Sequence, residues 1–457
     1  RVLIIEREEQ LGGNSSKASS GINATGDDET VHAFHQDTFA SCGKSNEVRE
    51  SRVWTLCEQS SRVVKWLQKR LGVSLDESAM LGGHTAARTM RPSEGFVGAE
   101  IVAALVGVLR KFEETEQLVV SLGTAVDDIS DVQGDARTVR YGKSSVQGRA
   151  VVVATGGFAA NAALIGRWRP DLASTPTTNG AWAQGEGLEL CTRLGAELGD
   201  MDRVQVHPTG FIDPSEPHNG TKVLCAELMR GVGGMLLDVT GRRFCNELDT
   251  RANVVRQMNA RRGPFFLILG EDATRLAGRH ASTYLRKGLM VAANDAWSFA
   301  KTVNIDPDTL LESLAGYNVG ARTGSDAFGR TSFGGGPVDP HAHLAYGLVT
   351  PSLHYCMGGI RVNDDGQVID SHGQVIPMLY AIGEVTSGLH GDNRLAGNSL
   401  LECAVFGTRV GQALPVYRRF KPKKKRRSPS LTRPDKLRPV TREELTRHAS
   451  ASDCWVA

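Results

Sequence analysis

The chain has 457 residues, including 51 glycines and only 6% aromatics, a length that implies two or three domains. It contains no apolar run of about 18 residues, which excludes a membrane-spanning helix; its eight cysteines form no CxxC pair or cluster, which favours free thiols in a reducing compartment over a disulfide framework or a zinc site. The formal net charge of +2 is unevenly spread, because the 40 residues from Arg418 onward carry 13 Lys/Arg and 4 Asp/Glu and leave a mildly acidic body.

The chain opens on Arg-Val-Leu-Ile-Ile-Glu. Val2 to Ile5 reads as a fully buried parallel strand. Glu6 at its end is where a dinucleotide-binding unit places the acid that accepts from ribose hydroxyls. The glycine fingerprint of such a unit lies about 20 residues earlier, so here it falls before residue 1 and the chain reads as cut at its start. Next come Leu11-Gly12-Gly13-Asn14-Ser15-Ser16 and Ser19-Ser20-Gly21-Ile22-Asn23-Ala24, small residues that let backbone N–H groups approach a cofactor. Val63, Val64, Leu67 and Leu71 share a face of a helix over 61–71, and Ala99 to Phe112 forms another. Leu118 to Ser121 reads as a strand. A further buried strand over 150–158 runs into Thr155-Gly156-Gly157 before Asn161.

Thr178-Asn179-Gly180 and Gly185-Glu186-Gly187 precede an expected Ala-rich helix. From about 239 to 345 apolar periodicity weakens and Gly334 to Pro340 is rich in Gly and Pro, the character of a separate domain. No internal repeat is visible. Residues 418–427 hold eight basic side chains, followed by Ser428-Pro429 and Arg433-Pro434. Proline and like charge make this a solvated linker rather than a nucleic-acid patch. Beyond it, Thr441 and Glu444 fit a capping box, and the chain ends on Asp453-Cys-Trp-Val-Ala.

Polar clusters sit beside glycine or proline at segment ends: Gln205-Val-His207-Pro-Thr209, Glu227-Leu-Met-Arg230-Gly, Asn246-Glu247-Leu-Asp-Thr250-Arg251, His354-Tyr-Cys-Met357-Gly358-Gly359 and Asn393-Arg394-Leu-Ala-Gly397-Asn398. Singly, each has a bland account, such as a structural histidine or a helix ion pair at i, i+3. Together and in this order, they resemble the soluble FAD-dependent fumarate reductases, within the flavoprotein family of fumarate reductase and succinate dehydrogenase. The resemblance runs from residue 1 to about 416, and residues 441–456 are similar to the opening of a cytochrome b-five-like domain.

The resemblance implies an α/β fold, in which a Rossmann-like FAD-binding domain, its first strand and glycine fingerprint missing, carries an inserted α+β capping domain. The divisions expected are 1–238 and 346–416 for the FAD-binding domain, 239–345 for the cap, 417–440 for the linker and 441–457 for the truncated haem-module start. Cofactor contacts fall on Glu6, Gly12, Gly13, Asn14, Ser15, Ser20, Gly21, Ile22, Asn23, Thr155, Gly156, Gly157, Gly185, Glu186, Gly358, Gly383, Glu384, Asn398, Ser399 and Leu400. Related dehydrogenases attach FAD to a His in the early loop. Ser19 to Thr25 has none, so non-covalent FAD is expected. No haem is expected in this stretch, because the ligating histidines of such a module lie further on, and no metal site is expected.

Fumarate carries two carboxylates, which Arg394, His354, His207, Gln205 and Thr209 are expected to hold. In the family's reaction, hydride leaves reduced flavin N5 and a proton arrives from the opposite face. By resemblance Arg251 is that acid, with Glu227 and Arg230 relaying its proton. One departure is Ala226, where bacterial members carry a Thr that touches a substrate carboxylate. That contact must come from the backbone or be absent. Expected partners are fumarate or succinate and an electron donor, either an appended cytochrome-like or reductase module or reduced flavin or NADH acting through it. Cytoplasm, mitochondrion and a glycosome-like organelle all meet the redox expectation. The alternatives are reduction of another unsaturated carboxylate, of the urocanate or acrylate kind, and a non-catalytic flavin electron-transfer subunit.

Overall fold

The computed structural model describes residues 1–26, 30–44 and 48–414. The expected linker and the segment resembling a haem-module start lie outside the described residues. Helices and strands alternate, and buried side chains gather into several distinct apolar cores.

Val2–Ile5 pairs in parallel with Leu118–Ser121, from Val2 opposite Leu118 to Ile5 opposite Ser121. The expectation of full burial is corrected: Val2 is 59% exposed and the next three residues are half-buried. The pair has no third strand among the described residues, and its residues form part of a cavity wall. Val151–Val153 pairs in parallel with Val375–Ala381. It is shorter than expected, because the chain turns at Gly156, whose φ of 74° suits glycine.

The helix expected over 61–71 begins earlier and spans Glu50–Leu71, closed by Gly72 in a left-handed conformation. Its buried face carries Val53, Leu56, Val63, Val64 and Leu67. It packs on Asn398–Ala413, the helix that later points its N-terminus at the site. The helix after Gly185 is a correction as well. It is only Glu186–Thr192, with Leu188 and Leu190 buried, and it is not Ala-rich.

The largest sheet runs Val223–Leu224, Val204–Phe211, Leu344–Cys356, Phe265–Gly270, Met235–Leu237, with Val291–Ala293 also paired on Leu344–Cys356. Leu344–Cys356 is long, at 13 residues. Its first half pairs with Phe265–Gly270 and its second with Val204–Phe211. The divisions expected at 238/239 and 345/346 therefore run through one sheet. Among the described residues, no helix is long and apolar enough to cross a membrane.

Candidate active site

A cavity of about 3250 Å³ lies between the Val2–Ile5 pair, the loop over Gly12–Gly21, the turn at Thr155–Gly157 and the N-terminus of helix Asn398–Ala413. Fifteen of the expected cofactor residues line it: Glu6, Gly12, Gly13, Asn14, Ser15, Ser20, Gly21, Thr155, Gly156, Gly157, Glu186, Gly383, Glu384, Ser399 and Leu400. Ile22, Asn23, Gly185, Gly358 and Asn398 do not, and stand behind the wall. Asn23 Nδ2 donates to Ala396 O and Asn398 Oδ1, both at 2.7 Å, and so ties the early loop to the start of the late helix.

The lining fits FAD on its own chemistry. The amides of Ser399 and Leu400 open a 16-residue helix whose dipole favours negative charge there. Trp182 Nε1 is buried on the wall with no protein partner. Helix Val97–Glu114 approaches the loop so closely at Gly98 that a Cβ there would lie 2.0 Å from Ser15 O. Burial raises the Glu384 carboxyl to about 7, against the opposing hydrogen bond from the Cys356 amide. Burial also lowers Lys17 to about 8, and its Nζ donates to Thr178 O at 3.0 Å.

His207, Arg251, His354 and Arg394 share the same cavity wall. Arg251 is the first residue of helix Arg251–Asn259, after Thr250, whose hydroxyl caps the Asn253 amide. Its Nε donates to Glu227 Oε2 and its Nη1 to Gln205 Oε1, both at 2.7 Å. Burial lowers Arg251 to about 10, although Glu227 pulls the other way. Glu227 is itself 1% exposed and receives the Gly82 amide at 2.9 Å. Burial alone would raise its carboxyl, but Arg251 and Arg230 outweigh it and hold Glu227 well below the usual carboxylate range. Arg230 Nη2 stands 3.2 Å from the same Oε2.

His207 Nδ1 accepts the Thr209 amide at 3.1 Å, which puts the ring proton on Nε2. That Nε2 is buried without a hydrogen-bond partner, 3.6 Å from Glu227 Oε2. His354 meets Thr178 Oγ1 through Nδ1 at 2.8 Å, and the two imidazole rings are 5.0 Å apart. Burial, helped by Arg251, lowers His207 to about 3 and His354 well below its ordinary value, so both rings are neutral, not cations. Gln205 and Thr209, expected at the substrate, sit behind the wall instead. Gln205 joins Arg251 to the Arg394 backbone, its Nε2 donating to Arg394 O at 2.8 Å, and Thr209 orients His207.

The backbone alternative at Ala226 is closed, because its N–H donates to Tyr284 Oη at 3.1 Å. Sequence reasoning also missed several supporting groups. Arg394 Cζ lies 4.5 Å from the Tyr355 ring centroid, and Tyr355 Oη donates to buried Glu402, which His390 also meets at 3.0 Å. The only signal was a lone acid inside the apolar run Leu400 to Phe406. Glu247 is a second buried acid, held by Arg243 and Arg330, each at 2.8 Å, while its carbonyl accepts from Arg230 Nη1. Among the described residues, no cluster of three metal-ligating side chains is present.

Residues 1–400 match the FAD binding domain family. The chain is similar to fumarate reductase 1 of Saccharomyces cerevisiae, 37% identical over 439 residues that span 90% of this chain and 93% of that protein. It is also similar to a fumarate reductase of Schizosaccharomyces pombe, 34% identical over 450 residues, covering 92% and 86% respectively. Among solved structures, the open conformation of a flavocytochrome c3 fumarate reductase superposes with a TM-score of 0.68 at 28% identity, covering 90% of this chain and 73% of that one. The chain therefore belongs to the FAD-binding flavoprotein family that contains these fumarate reductases.

Proposed function

We propose that this chain is an oxidoreductase that uses FAD to reduce fumarate to succinate. The observation that carries the reading is the convergence on one cavity wall of Arg251, Arg394 and two neutral histidines, with an ionised Glu227 directly behind Arg251. Bound reduced FAD supplies the hydride. Arg394, the Nε2–H of His207 and the His354 ring hold the two carboxylates, in a buried setting where each charge-assisted bond counts most.

As hydride adds to one alkene carbon, negative charge grows on the other and its carboxylate. Arg251 stabilises that charge and then gives up a proton to it, which completes the two hydrogens of succinate. Its Nε and Nη1 are occupied by Glu227 and Gln205, and Nη2 has no protein hydrogen bond. A pKa of about 10 makes this guanidinium a workable acid toward a carbanion. Glu227 and Arg230 return the proton, Glu227 from 2.7 Å and Arg230 from 3.2 Å beyond it.

In the same reading, residues 239–345 cap the substrate, the FAD-binding part is Rossmann-like, and electrons come from a module resembled by the segment after Val440. These assignments are supported by resemblance alone. The direct test is anaerobic mixing of the photoreduced holoprotein with fumarate or with monocarboxylate enoates. Rapid return of the oxidised flavin band with fumarate, and slow return with the monocarboxylates, is expected. The reverse preference would place the chain with reductases of other unsaturated acids.

A further inference from the structure

Three successive amides of the turn that carries Glu227 are held by three different segments. Cys225 N–H donates to Thr209 O at 3.0 Å, on the strand that bears His207. Ala226 N–H donates to Tyr284 Oη at 3.1 Å. Glu227 N–H donates to Ser20 Oγ at 3.1 Å, in the loop along the cofactor cavity. Tyr284 lies on helix Arg279–Arg286, far from the others in sequence.

That helix makes a second attachment one turn earlier. His280 Nε2 lies 2.9 Å from Ser19 O, and because a carbonyl only accepts, Nε2 carries the proton. Positions 280 and 284 are four apart and share one helical face. His280 is 2% exposed and rests edge-on against Phe96, and Tyr284 is 4% exposed and rests edge-on against Phe211. Tyr284 uses its hydroxyl fully, donating to Leu224 O at 3.1 Å while accepting from Ala226. One helix face thus grips the loop that faces the cofactor and the turn that holds the acid relay. The Glu227-to-Ser20 bond closes the triangle.

We propose that His280 and Tyr284 are positioning residues, a two-point brace that fixes the proton-donating turn relative to the cofactor loop and so sets the separation between the hydride and proton sources. The brace touches neither reacting atom. It acts through Glu227, whose carboxylate orients Arg251. This inference rests on the assignment of Glu227 and Arg251 to proton delivery.

Tyr284→Phe keeps the ring against Phe211 and removes only the hydroxyl. The holoprotein of this variant is expected to retain FAD with an unchanged absorption spectrum. Amide exchange over Leu224–Glu227 is expected to quicken roughly tenfold or more, while exchange in Phe265–Gly270 stays as it was. Fumarate-driven flavin reoxidation is expected to slow by roughly 10- to 100-fold, with a larger solvent deuterium isotope effect as proton transfer becomes limiting. His280→Leu should act in the same sense, and His280→Gln, which keeps a donor, should recover most of the rate. Unaltered exchange at 224–227, or slower reoxidation with an unaltered isotope effect, would overturn the brace. If the unsubstituted protein is not reoxidised by fumarate, the functional reading fails instead, and the exchange result still decides whether the brace exists.

Discussion

Replacing Arg251 with lysine keeps the charge and tests the geometry. The guanidinium is pinned by two bonds of 2.7 Å, from Nε to Glu227 and from Nη1 to Gln205, and in the proposed reaction its third nitrogen serves the substrate. A lysine has one nitrogen on a flexible stem and cannot satisfy Glu227, Gln205 and substrate in that planar arrangement. The ammonium will pair with Glu227, the fully buried anion, and withdraw from the alkene by on the order of 1 Å or more. Lost acid catalysis of this kind costs roughly 10²- to 10⁴-fold. A central value of about 10³-fold corresponds to about 4 kcal/mol of transition-state stabilisation. The assay is stopped-flow reoxidation of the reduced flavin by fumarate, with flavin content measured on the same sample. The expected result is full flavin content with reoxidation slowed about a thousandfold. Reoxidation within about tenfold of the unsubstituted protein would show that Arg251 does not deliver the proton.

Glu227→Gln leaves Arg251 and Arg230 as buried cations without their shared anion, and a loss of roughly 3–5 kcal/mol in unfolding free energy is expected from denaturant titration. Gly98→Ala drives a Cβ to 2.0 Å from Ser15 O and 2.8 Å from Ala18 O, so the cofactor loop must lift; flavin retained through gel filtration should fall clearly below one per chain. Acid should destabilise the fold. His207 falls to about 3, and His84 and His280 to about 4, so between there and about 6.5 the unfolded chain binds more protons, and stability is complete above that window and lost as pH falls through it. Each of the three costs on the order of 2 kcal/mol at pH 5, while Glu384, raised to about 7, works in the opposite direction and offsets part of the loss. Thermal melts of the holoprotein between pH 7 and 5 should therefore show a falling midpoint, and a flat or rising one would contradict the buried neutral histidines.

The motifs were legible because each combines a special backbone need with a special charge. Glycine pairs at 12–13 and 156–157 mark close approach, and Arg251 stands out through the motif Asn246-Glu247-Leu-Asp-Thr250-Arg251, in order between Arg230 and Arg394. Direct contact was distinguishable from support only in three dimensions. Gln205 and Thr209 belong to the same short motif as His207, yet the strand turns His207 to the cavity and leaves the other two to hold Arg251 and the imidazole from behind. The supporting layer was the least visible. Glu402 lies in a helix that reads as ordinary apolar packing, and its partners Tyr355 and His390 come from 47 and 12 residues away. Tyr284 sits in a stretch whose weak periodicity suggested no site at all, because its role depends on a single hydroxyl meeting a turn 58 residues earlier.

The long strand Leu344–Cys356 has a mechanical consequence. It is one continuous girder, laddered to Phe265–Gly270 at one end and to the histidine-bearing strand at the other. A load applied where residues 344–349 pair is carried along its backbone to His354 without crossing a hinge of loop. The ladder is irregular only near that second end: His354 is an extra residue of the long strand between the pairs Gln205–Tyr355 and Val206–Leu353, and the partner strand carries an extra residue between His207 and Gly210. The regular pairing therefore stiffens the sheet away from the site, and both irregularities fall beside the two histidines that line the cavity.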